Sequence, residues 1–431
     1  MSATTAAELV ADIEQRIIVG ELRPGERLDP VRTAARRLGL APNTVAAAYR
    51  TLAERCLVVG RGRRGTFVEE SRRPLTDLVP TVPPGLVDLA SGGPDPAFLP
   101  DLAPFLAALE GSTTTYGDPS VAPDLESAAR MALAADGVEG ELLAVTGGAV
   151  DGVERVLEGS LRPGDAVAVE DPGWFAIVDL VRAMGMMPVP VPVDDDGIRP
   201  DHLAQVVGRV AAVILTPRAH NPTGAAISPE RAEELIGVLA RWPGVLVIED
   251  DHMGPVAGPP LAPVASRLTK WAHIRSFSKA FGPDLRTAVV AGDTLTLDRL
   301  LSRQLVGPGW VSHILQRTAA FLLRSDEVAD LQAAATRAYG ERRDLMSQSL
   351  ERYGLTAQGR SGVNLWVPVA DEEAAMRAGR ERGYALRAGS RFRHRSGPGV
   401  RITISNISTE IADDLAEALG VKSPGRMSRL V

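Results

Sequence analysis

Apolar residues recur at helical spacing in three stretches near the start of the chain. The stretches are 6–19 with Leu9, Ile13 and Ile17, 30–38 with Val31, Ala34, Ala35 and Leu38, and 42 to about 55 with Val45, Ala48, Tyr49 and Leu52. This spacing puts the apolar side chains on one face of each helix. A turn at 22–25 separates the first two helices, and Gly39 breaks the second. The pattern therefore predicts three amphipathic helices, the last two joined by a short turn at 39–41.

Two short β-like runs, 57–59 and 66–68, follow the third predicted helix. They flank a loop, 60–65, that consists of glycine and arginine. A loop of this kind between two apolar runs predicts a hairpin with a basic tip. Residues 71–87 then contain four prolines and no periodicity, which predicts a linker.

From residue 88 onward, apolar runs alternate with helical stretches. The runs are 142–146, 166–170, 211–216, 245–250, 273–277 and 287–291. Alternation of this kind is typical of an α/β domain with a mainly parallel sheet. Residues 325–420 suggest a long helix and strands near 364–369 and 400–404, which predicts a smaller α+β lobe. We therefore expect a helical module at 1–70, a linker at 71–87, an α/β domain at 88–420 and a tail at 421–431.

Composition adds a charge asymmetry to this picture. The net charge is −7, yet residues 1–75 carry 13 Arg and Lys against 9 Asp and Glu. A basic head on an acidic body indicates a nucleic-acid-binding module fused to another domain. The single cysteine, Cys56, and the lack of a secretory signal or a long apolar run predict a cytoplasmic protein without a membrane span. The six histidines and one cysteine show no zinc-ligand spacing, so no metal site is expected.

The spacing of the second and third predicted helices is that of a helix-turn-helix unit. Asn43 and Thr44 fall in the first turn of the third helix, where side chains reach base edges or phosphates. Arginines at four further positions offer phosphate or minor-groove contacts, namely Arg50, Arg61, Arg63 and Arg64. The spacing predicts binding to double-stranded DNA. The alternative is a small helical cap on an enzyme, with a solvated basic surface.

The first 68 residues resemble the GntR-type winged helix. The resemblance rests on the stretches 20–28, 31–32, 43–45, 48–52 and 64–68, and it adds Arg32 to the candidate DNA contacts. The sequence departs from the family at two places. Ala41 replaces the Ser or Thr that caps the recognition helix, at a cost of about 1 kcal/mol, and Cys56 replaces a helix-ending glycine.

Lys279 is the strongest candidate for cofactor chemistry in the large domain. It is one of three lysines, with Lys270 and Lys422, and it follows a predicted strand in the run Ser276-Phe277-Ser278-Lys279. A cofactor bound as a Schiff base needs a lysine at a rigid strand end and cationic and hydroxyl groups for its phosphate. Ser276, Ser278 and Arg286 supply those groups. The alternative is an ordinary surface lysine after a strand.

Two other strand ends carry polar groups suited to a heterocyclic cofactor. Asp250 ends a strand, where a carboxylate can pair with a protonated pyridine nitrogen, although a helix cap or an acidic cluster is the alternative. Asn221 precedes a proline, which favours an extended backbone, and its amide can donate to a phenolic oxygen. A plain turn is the alternative for Asn221.

Two further segments carry groups that are suited to binding a cofactor. Trp174 follows another predicted strand and is suited to stacking on a flat ring, with core packing as the alternative. The run from Thr146 through Gly148 and Ala149 leads into a predicted helix at 150–158, whose N–H groups can cradle a phosphate. A lone glycine pair is a weak signal for such a cradle.

These segments occur in the chain order of the fold-type I, aspartate-aminotransferase-like family, which residues 85–420 resemble. The resemblance implies pyridoxal 5′-phosphate (PLP) bound as a Schiff base on Lys279, Asp250 on the pyridine nitrogen, Asn221 on the phenolic oxygen and Trp174 on the ring. The implied phosphate ligands are Gly148, Ala149, Ser276, Ser278 and Arg286, with Tyr116 reaching the phosphate of a partner subunit. Arg401 matches the arginine that clamps a substrate carboxylate, and a strand-end surface charge is the alternative there.

The sequence departs from this family at residues that adjust the reactivity of the bound cofactor. His252 stands two positions after the pyridine aspartate, where the family has tyrosine. Gly147 and Ala149 offer only backbone where the family offers hydroxyl groups. PLP binding is expected to persist, whereas fast transamination is in doubt.

A GntR-type winged helix ahead of a fold-type I domain resembles the MocR/GabR-type transcriptional regulators. The resemblance implies a dimeric DNA-binding regulator whose aminotransferase-like domain senses an amino compound or PLP itself. The alternatives are a working PLP-dependent aminotransferase with an auxiliary N-terminal domain, and a protein that keeps the fold without PLP.

Overall fold

The computed structural model describes residues 5–18, 21–23, 25–54, 57–60, 65–68, 82–109 and 113–420. Arg61, Arg63 and Arg64 of the predicted hairpin tip, Cys56, most of the predicted linker and the predicted tail lie outside these residues. The contacts group the chain into two compact units. One comprises Met1–Thr81, Arg162–Asp165 and Asp179–Met187, and the other comprises Val82–Leu161, Ala166–Val178 and Pro188–Val431.

The described part of the N-terminal stretch contains the elements that the apolar pattern predicts. They are α1 (Ala6–Ile18), α2 (Val31–Leu38), α3 (Pro42–Glu54), β1 (Val58–Gly60) and β2 (Thr66–Val68). The apolar faces of the three helices form one buried core, in which Ala48 and Leu52 have no exposed surface. Gly39 ends α2 in the left-handed conformation, at φ 68°, which glycine adopts without a steric penalty. The predicted helix-turn-helix with a hairpin is confirmed.

The remaining strands begin at residue 87. They are β3 (Val87–Asp88), β4 (Leu142–Thr146), β5 (Ala166–Asp171), β6 (Met187–Asp194), β7 (Gly197–Ile198), β8 (Ala212–Leu215), β9 (Leu246–Asp251), β10 (Trp271–Ser276), β11 (Ala288–Gly292), β12 (Asn364–Pro368), β13 (Tyr384–Ala385), β14 (Arg387–Ala388) and β15 (Gly399–Thr403).

The helices that alternate with these strands begin at residue 103. They are α4 (Ala103–Ala107), α5 (Pro123–Ala135), α6 (Ala149–Ser160), α7 (Phe175–Ala183), α8 (Pro200–Val206), α9 (Pro229–Leu239), α10 (Ser278–Phe281), α11 (Thr294–Val306), α12 (His313–Arg324), α13 (Asp326–Arg352), α14 (Glu372–Glu381) and α15 (Thr409–Gly420). Among the helices that the structure describes, none has the length and apolar character needed to cross a membrane.

The main sheet of the described chain has the order β4-β11-β10-β9-β8-β5-β6-β7. Strands β10, β9, β8 and β5 pair in parallel, whereas β11 pairs antiparallel with both β10 and β4. The carboxyl ends of β4, β5, β8, β9 and β10 therefore meet at one edge, together with the start of β11. Open sheets of this kind bind ligands at the carboxyl edge. The predicted α/β class is confirmed.

Strand β6 is the longest of the strands that the sequence pattern misses, the others being the two-residue strands β3, β7, β13 and β14. It carries prolines at every second position, Pro188, Pro190 and Pro192. A proline cannot donate to a neighbouring strand and normally argues against an internal strand. Because the prolines share one alternation phase, the N–H groups of the residues between them remain available, and β6 joins the sheet between β5 and the two-residue β7.

A smaller lobe follows the main sheet along the chain. The 27-residue helix α13 leads to a three-stranded sheet of order β12-β15-β14, with α14 and α15 in contact with each other. Strand β15 is central, so Arg401 lies in the middle of this sheet. The separate parallel pair β3–β13 brings the chain around residue 88 to the lobe. The predicted α+β lobe is confirmed.

Candidate functional site

Most of the predicted cofactor residues come together at the carboxyl edge of the main sheet. Trp174, Asn221, Asp250 and His252 line one cavity. Each comes from a different strand end or the loop behind it, except Asp250 and His252, which share β9 and its exit. Long-range pairing of parallel strands therefore assembles a single pocket from segments that are far apart in sequence.

Lys279 is in the single turn α10, directly after β10. Its Nζ donates to the carbonyl oxygen of Gly92 at 2.7 Å. Burial lowers the pKa of the Lys279 amine to about 8, and the Arg401 guanidinium acts in the same direction. A lysine amine with such a pKa is neutral about a tenth of the time at pH 7, far more often than an ordinary lysine amine, and the neutral form is the one that attacks an aldehyde.

Asp250 is buried on β9, with 2% of its surface exposed. Its Oδ1 has no hydrogen-bond partner among the described residues. Burial raises the pKa of the Asp250 carboxyl to about 7, and the carboxylates of Asp251 and Glu170 act in the same direction. A buried carboxylate without a partner is costly. The site is therefore complementary to a ligand with a positively charged N–H group.

His252 lies beside Asp250, with its Nδ1 4.0 Å from Asp250 Oδ2. Burial lowers the pKa of His252 to about 4, and Lys279 acts in the same direction. The imidazole is therefore neutral at pH 7. Its Nδ1 is buried and lacks a hydrogen-bond partner within the described chain, so it remains available to a ligand.

The phosphate candidates gather at the start of α6. Gly148 precedes this helix at φ 113°, and a Cβ atom there would lie 2.8 Å from Arg286 Nη2. Arg286 donates to the Gly147 carbonyl at 2.9 Å, and Ser276 Oγ and Ser278 Oγ are 3.2 Å apart. Ala149 is the first residue of α6, one residue earlier than predicted. A helix N-terminus, a guanidinium and two hydroxyl groups form a suitable anion site.

Asn221 and Arg401 contact each other directly. Arg401 Nη1 donates to Asn221 Oδ1 at 3.0 Å. This contact takes the carbonyl oxygen of the amide and leaves its NH₂ group for a ligand acceptor. Arg401 also donates to the Ala90 carbonyl oxygen and is 3% exposed. Its position deep in the lobe argues against the alternative of a strand-end surface charge.

The sequence analysis missed a second group of polar residues at the cavity, formed by Glu170, Thr216 and His220. Glu170, at the end of β5, accepts hydrogen bonds from Thr216 N at 3.0 Å and Thr216 Oγ1 at 2.8 Å. His220 Nε2 lies 3.3 Å from Glu170 Oε2. Glu170 and Thr216 also line the cavity. Glu170 carries the same signal as Asp250, a carboxylate at a strand end, and that signal would have found it.

The neighbours of Asp250 on β9 have a different role. Because side chains alternate along a strand, Glu249 and Asp251 point to the opposite face from Asp250. Asp251 accepts from Arg218 Nε at 2.9 Å and from Arg275 Nε at 2.7 Å, and His273 Nδ1 lies 2.9 Å from Glu249 Oε2. Asp250 therefore faces the ligand cavity, whereas Glu249 and Asp251 belong to a buried ion-pair network. This network holds β9, β10 and the loop after β8 together.

Tyr116 does not join the pocket of its own chain. Its side chain is 96% exposed, and its ring makes an edge contact with Trp310 at a centroid distance of 5.8 Å. The predicted role of this tyrosine concerns a partner subunit, and its exposure is compatible with that role.

The described DNA candidates lie on the surface of the N-terminal unit. Arg32, Asn43 and Arg50 are exposed, and Thr44 is half-buried. Pro42 is the first residue of α3, so Asn43 and Thr44 occupy its first turn as predicted. The unfavourable Ala41 still accepts from Thr44 N at 3.0 Å through its backbone carbonyl. Asn43 and Thr44 lie at the start of α3, Arg50 lies further along the same helix, and Arg32 lies on α2.

Comparisons with known protein families match both parts of the chain. The family of bacterial regulatory proteins, gntR family, matches residues 5–68. The family aminotransferase class I and II matches residues 84–419. The second match covers more than half of the chain.

Relatives with both parts are named as regulators. The chain is 40% identical over 427 residues to the vitamin B6 salvage pathway transcriptional repressor PtsJ of Salmonella typhimurium, an alignment that covers 96% of this chain and 98% of that protein. It is 28% identical to the HTH-type transcriptional regulator TauR of Rhodobacter capsulatus, over 88% of each chain. It is 26% identical to the pyridoxine biosynthesis regulator PdxR of Corynebacterium glutamicum, over 80% of this chain and 78% of that one.

Solved structures share the fold of the large domain. A kynurenine aminotransferase of Pyrococcus horikoshii aligns with a TM-score of 0.71 at 21% identity, covering 80% of this chain and 93% of that one. At this identity the likeness establishes the fold alone. The two family matches and the relative that is 40% identical along nearly its whole length place the chain in the MocR-type family of transcriptional regulators, in which a GntR-type DNA-binding domain precedes an aminotransferase class I and II domain.

Proposed function

We propose that this regulator binds PLP at the carboxyl edge of its main sheet and uses it to sense a small effector, an amino compound or a form of vitamin B6. The observation that carries the proposal is the buried carboxyl group of Asp250, whose Oδ1 has no hydrogen-bond partner in the described part of the chain, in one cavity with Trp174, Asn221 and His252. The name of the relative PtsJ, a vitamin B6 salvage repressor, supports a B6 compound as ligand.

The chemistry of the site fits PLP at each of its functional groups. The aldehyde requires an amine with a depressed pKa, which Lys279 supplies. The protonated pyridine nitrogen fits the orphaned Asp250 Oδ1, and the phenolic oxygen fits the amide NH₂ of Asn221. The phosphate fits the start of α6 with Arg286, Ser276 and Ser278. When bound, PLP supplies an electrophilic carbon that exchanges amines and a ring that withdraws electrons.

Each residue of the chain then has a definite task. Asp250 keeps a proton on the ring nitrogen, and Trp174 covers a face of the ring and excludes water. Neutral His252 offers a hydrogen bond without adding charge. Arg401 holds Asn221 in place and is available to an effector carboxylate, a bidentate task suited to a guanidinium.

The pKa of Lys279 predicts how cofactor attachment depends on pH. In cofactor-free protein, the rate of covalent attachment should rise with pH through about 8 and level off above it, because only the neutral amine attacks. An exposed lysine would give a midpoint near its ordinary value of 10.5. Stopped-flow measurement of the visible absorption band gives the profile, with Lys270→Ala as a control that should not move it. A midpoint near 10 would contradict the assignment.

The N-terminal unit is proposed to contact double-stranded DNA through α3 and the hairpin. Asn43 and Thr44 are assigned to base edges or phosphates, and Arg32 and Arg50 to phosphates. Arg61, Arg63 and Arg64, outside the described residues, are assigned to the wing on the basis of sequence alone.

The test of the whole proposal is coupling between the two ligands. DNA affinity should change about fivefold or more when PLP or an amino compound occupies the large domain, which is the lower end of usual coupling energies. Fluorescence anisotropy on a duplex enriched from a random library by the protein itself measures this change. Equal DNA affinity with and without every B6 compound and amine tried would overturn the sensor function.

The active form is proposed to be a homodimer. Besides Tyr116, large apolar side chains are exposed at the end of α11 and the start of α12, namely Leu305 at 65%, Val306 at 80% and Ile314 at 56%. Exposed apolar groups of this size favour burial against another chain. A second copy would also bring a Tyr116 to the phosphate site of its partner.

The set of Lys279, Asp250 and Arg401 also supports a second candidate, a working aminotransferase. The regulators among the relatives and the neutral His252 in place of tyrosine favour the sensor. Sustained turnover of an amino acid with 2-oxoglutarate would instead support the enzyme.

A further inference from the structure

Glu170 is a second carboxylate in the cavity that contains Asp250. Glu170 lies on β5 and Asp250 on β9, and Thr216 directly follows β8, the strand between them. All three residues line the cavity. Leu215 on β8 is the cross-strand partner of Glu249 on β9, so the residues that follow them, Thr216 and Asp250, are also neighbours. The three cavity residues therefore form a row across adjacent strands, which are about 5 Å apart.

Hydrogen bonds fix the Glu170 side chain in this row. Thr216 N donates to Oε1 at 3.0 Å, and Thr216 Oγ1 donates to Oε2 at 2.8 Å. Both oxygens accept, which is the pattern of an ionised carboxylate. Glu170 is also buried, with 7% of its surface exposed. Its charge therefore acts over a longer range than it would in water, because little solvent screens it.

No neighbouring cation cancels the charge of Glu170. His220 Nε2 lies 3.3 Å from Glu170 Oε2, but His220 Nδ1 accepts from the backbone N–H of Thr223 at 3.4 Å. A ring nitrogen that accepts a hydrogen bond carries no proton, so this imidazole is neutral. In the described part of the chain, no lysine or arginine lies within ion-pair distance of Glu170. Glu170 therefore adds a full negative charge to the cavity.

This charge acts on Asp250. Burial raises the pKa of the Asp250 carboxyl to about 7, and the carboxylates of Asp251 and Glu170 act in the same direction. Asp251 is paired with Arg218 and Arg275 on the opposite face of β9, whereas Glu170 lines the same cavity as Asp250. Two carboxylates that share a cavity in this way favour a ligand that brings a positive charge to them.

We propose that Glu170 is a specificity-determining residue, which makes the cavity selective for a ligand whose ring contains a protonated nitrogen. Glu170 does so by adding its negative charge to that of Asp250, and Thr216 positions it. The ligand class is a pyridine derivative that is basic enough to hold a proton. The inference rests on the proposed function, because it assumes that Asp250 faces the ring of a bound B6 compound.

A matched pair of ligands tests this selectivity on the cofactor-free, full-length protein. PLP is compared with 1-deaza-PLP, in which a C–H group replaces the ring nitrogen, by equilibrium dialysis. The wild type should bind PLP more tightly than 1-deaza-PLP. Glu170→Gln should reduce the ratio of the two affinities about tenfold, the size of one pKa unit, and leave the affinity for 1-deaza-PLP nearly unchanged. A merely structural role would lower both affinities alike.

Further variants separate charge from shape. Glu170→Met, which is neutral and of similar length, should reduce the ratio as Glu170→Gln does, whereas Glu170→Asp keeps the charge and should retain most of the ratio. Glu230→Gln neutralises an exposed acid on α9 and should change neither affinity. Binding of 1-deaza-PLP shows that a variant is folded, and if one neutral variant fails this check, the other decides. A wild-type ratio in a folded neutral variant, or an equal loss in Glu170→Asp, would overturn the inference.

Asp250→Asn distinguishes this inference from the proposed function. A ratio that falls in Asp250→Asn but not in the neutral Glu170 variants contradicts the role of Glu170 alone. A wild-type protein that binds neither compound, or that binds both equally, contradicts the proposed function and this inference with it.

Discussion

Replacing Lys279 by alanine is expected to abolish covalent attachment of PLP completely. The visible absorption band should disappear, and borohydride reduction should leave no labelled peptide. Lys279 lies close enough to His252, which lines the cavity, to lower the pKa of that imidazole, and its Nζ is held 2.7 Å from the Gly92 carbonyl oxygen. Lys270 has a different environment, where its Nζ donates to the Gly244 carbonyl at 3.3 Å. Lys270→Ala is therefore the matched control and should keep a full band.

Loss of the band without loss of the fold is essential to this result. The Lys279 side chain is half-buried and its amine donates to the Gly92 carbonyl oxygen, so the thermal transition of cofactor-free Lys279→Ala should stay close to that of the cofactor-free wild type. The response of DNA affinity to amines should vanish in the same variant. A reducible label that persists in Lys279→Ala, or that maps to Lys270, would show that the cofactor is attached elsewhere.

The double variant Asn43→Ala/Arg50→Ala is expected to weaken specific DNA binding about a hundredfold. Loss of a base contact costs about 1–3 kcal/mol, and each 1.4 kcal/mol is tenfold in affinity. Loss of a phosphate contact also reduces the slope of log affinity against log salt by about 0.9. Titrations of a labelled duplex at several salt concentrations measure both effects.

The single variants separate the two roles. Asn43→Ala should relax sequence preference with little change in salt slope, and Arg50→Ala should weaken all duplexes alike. Both side chains are exposed on α3, so neither change should affect folding. Arg380→Ala removes an exposed charge from the other unit and should leave DNA binding unchanged. Wild-type affinity in the double variant would show that neither Asn43 nor Arg50 contacts DNA.

Local pattern accounts for much of what was predicted. Helical spacing of apolar residues identified α1, α2 and α3, because the apolar residues of an amphipathic helix face lie in consecutive turns of one segment. Chemistry at strand ends pointed to Lys279, Asp250 and Asn221, because parallel strands deliver their carboxyl ends to a common edge. The helices follow from the residue types and their spacing, whereas the roles of Lys279, Asp250 and Asn221 also rest on the resemblance to the aminotransferase family.

The sequence alone determined the three N-terminal helices, most of the strands of the main sheet, and most of the side chains with the chemistry for PLP and DNA, although it missed β6 and Glu170. Only the tertiary structure decided which groups meet. Gly92 contacts Lys279 across 187 residues of chain, and the register of β14 against β15 sets Arg387 opposite Arg401. It also put Asp250 in the cavity and Asp251 in the ion-pair network, a distinction that the sequence analysis had made through the family resemblance and not through the strand pattern. Alternation shows that two neighbouring residues face apart, but which face is the cavity depends on the layers packed against the sheet, and those come from distant parts of the chain.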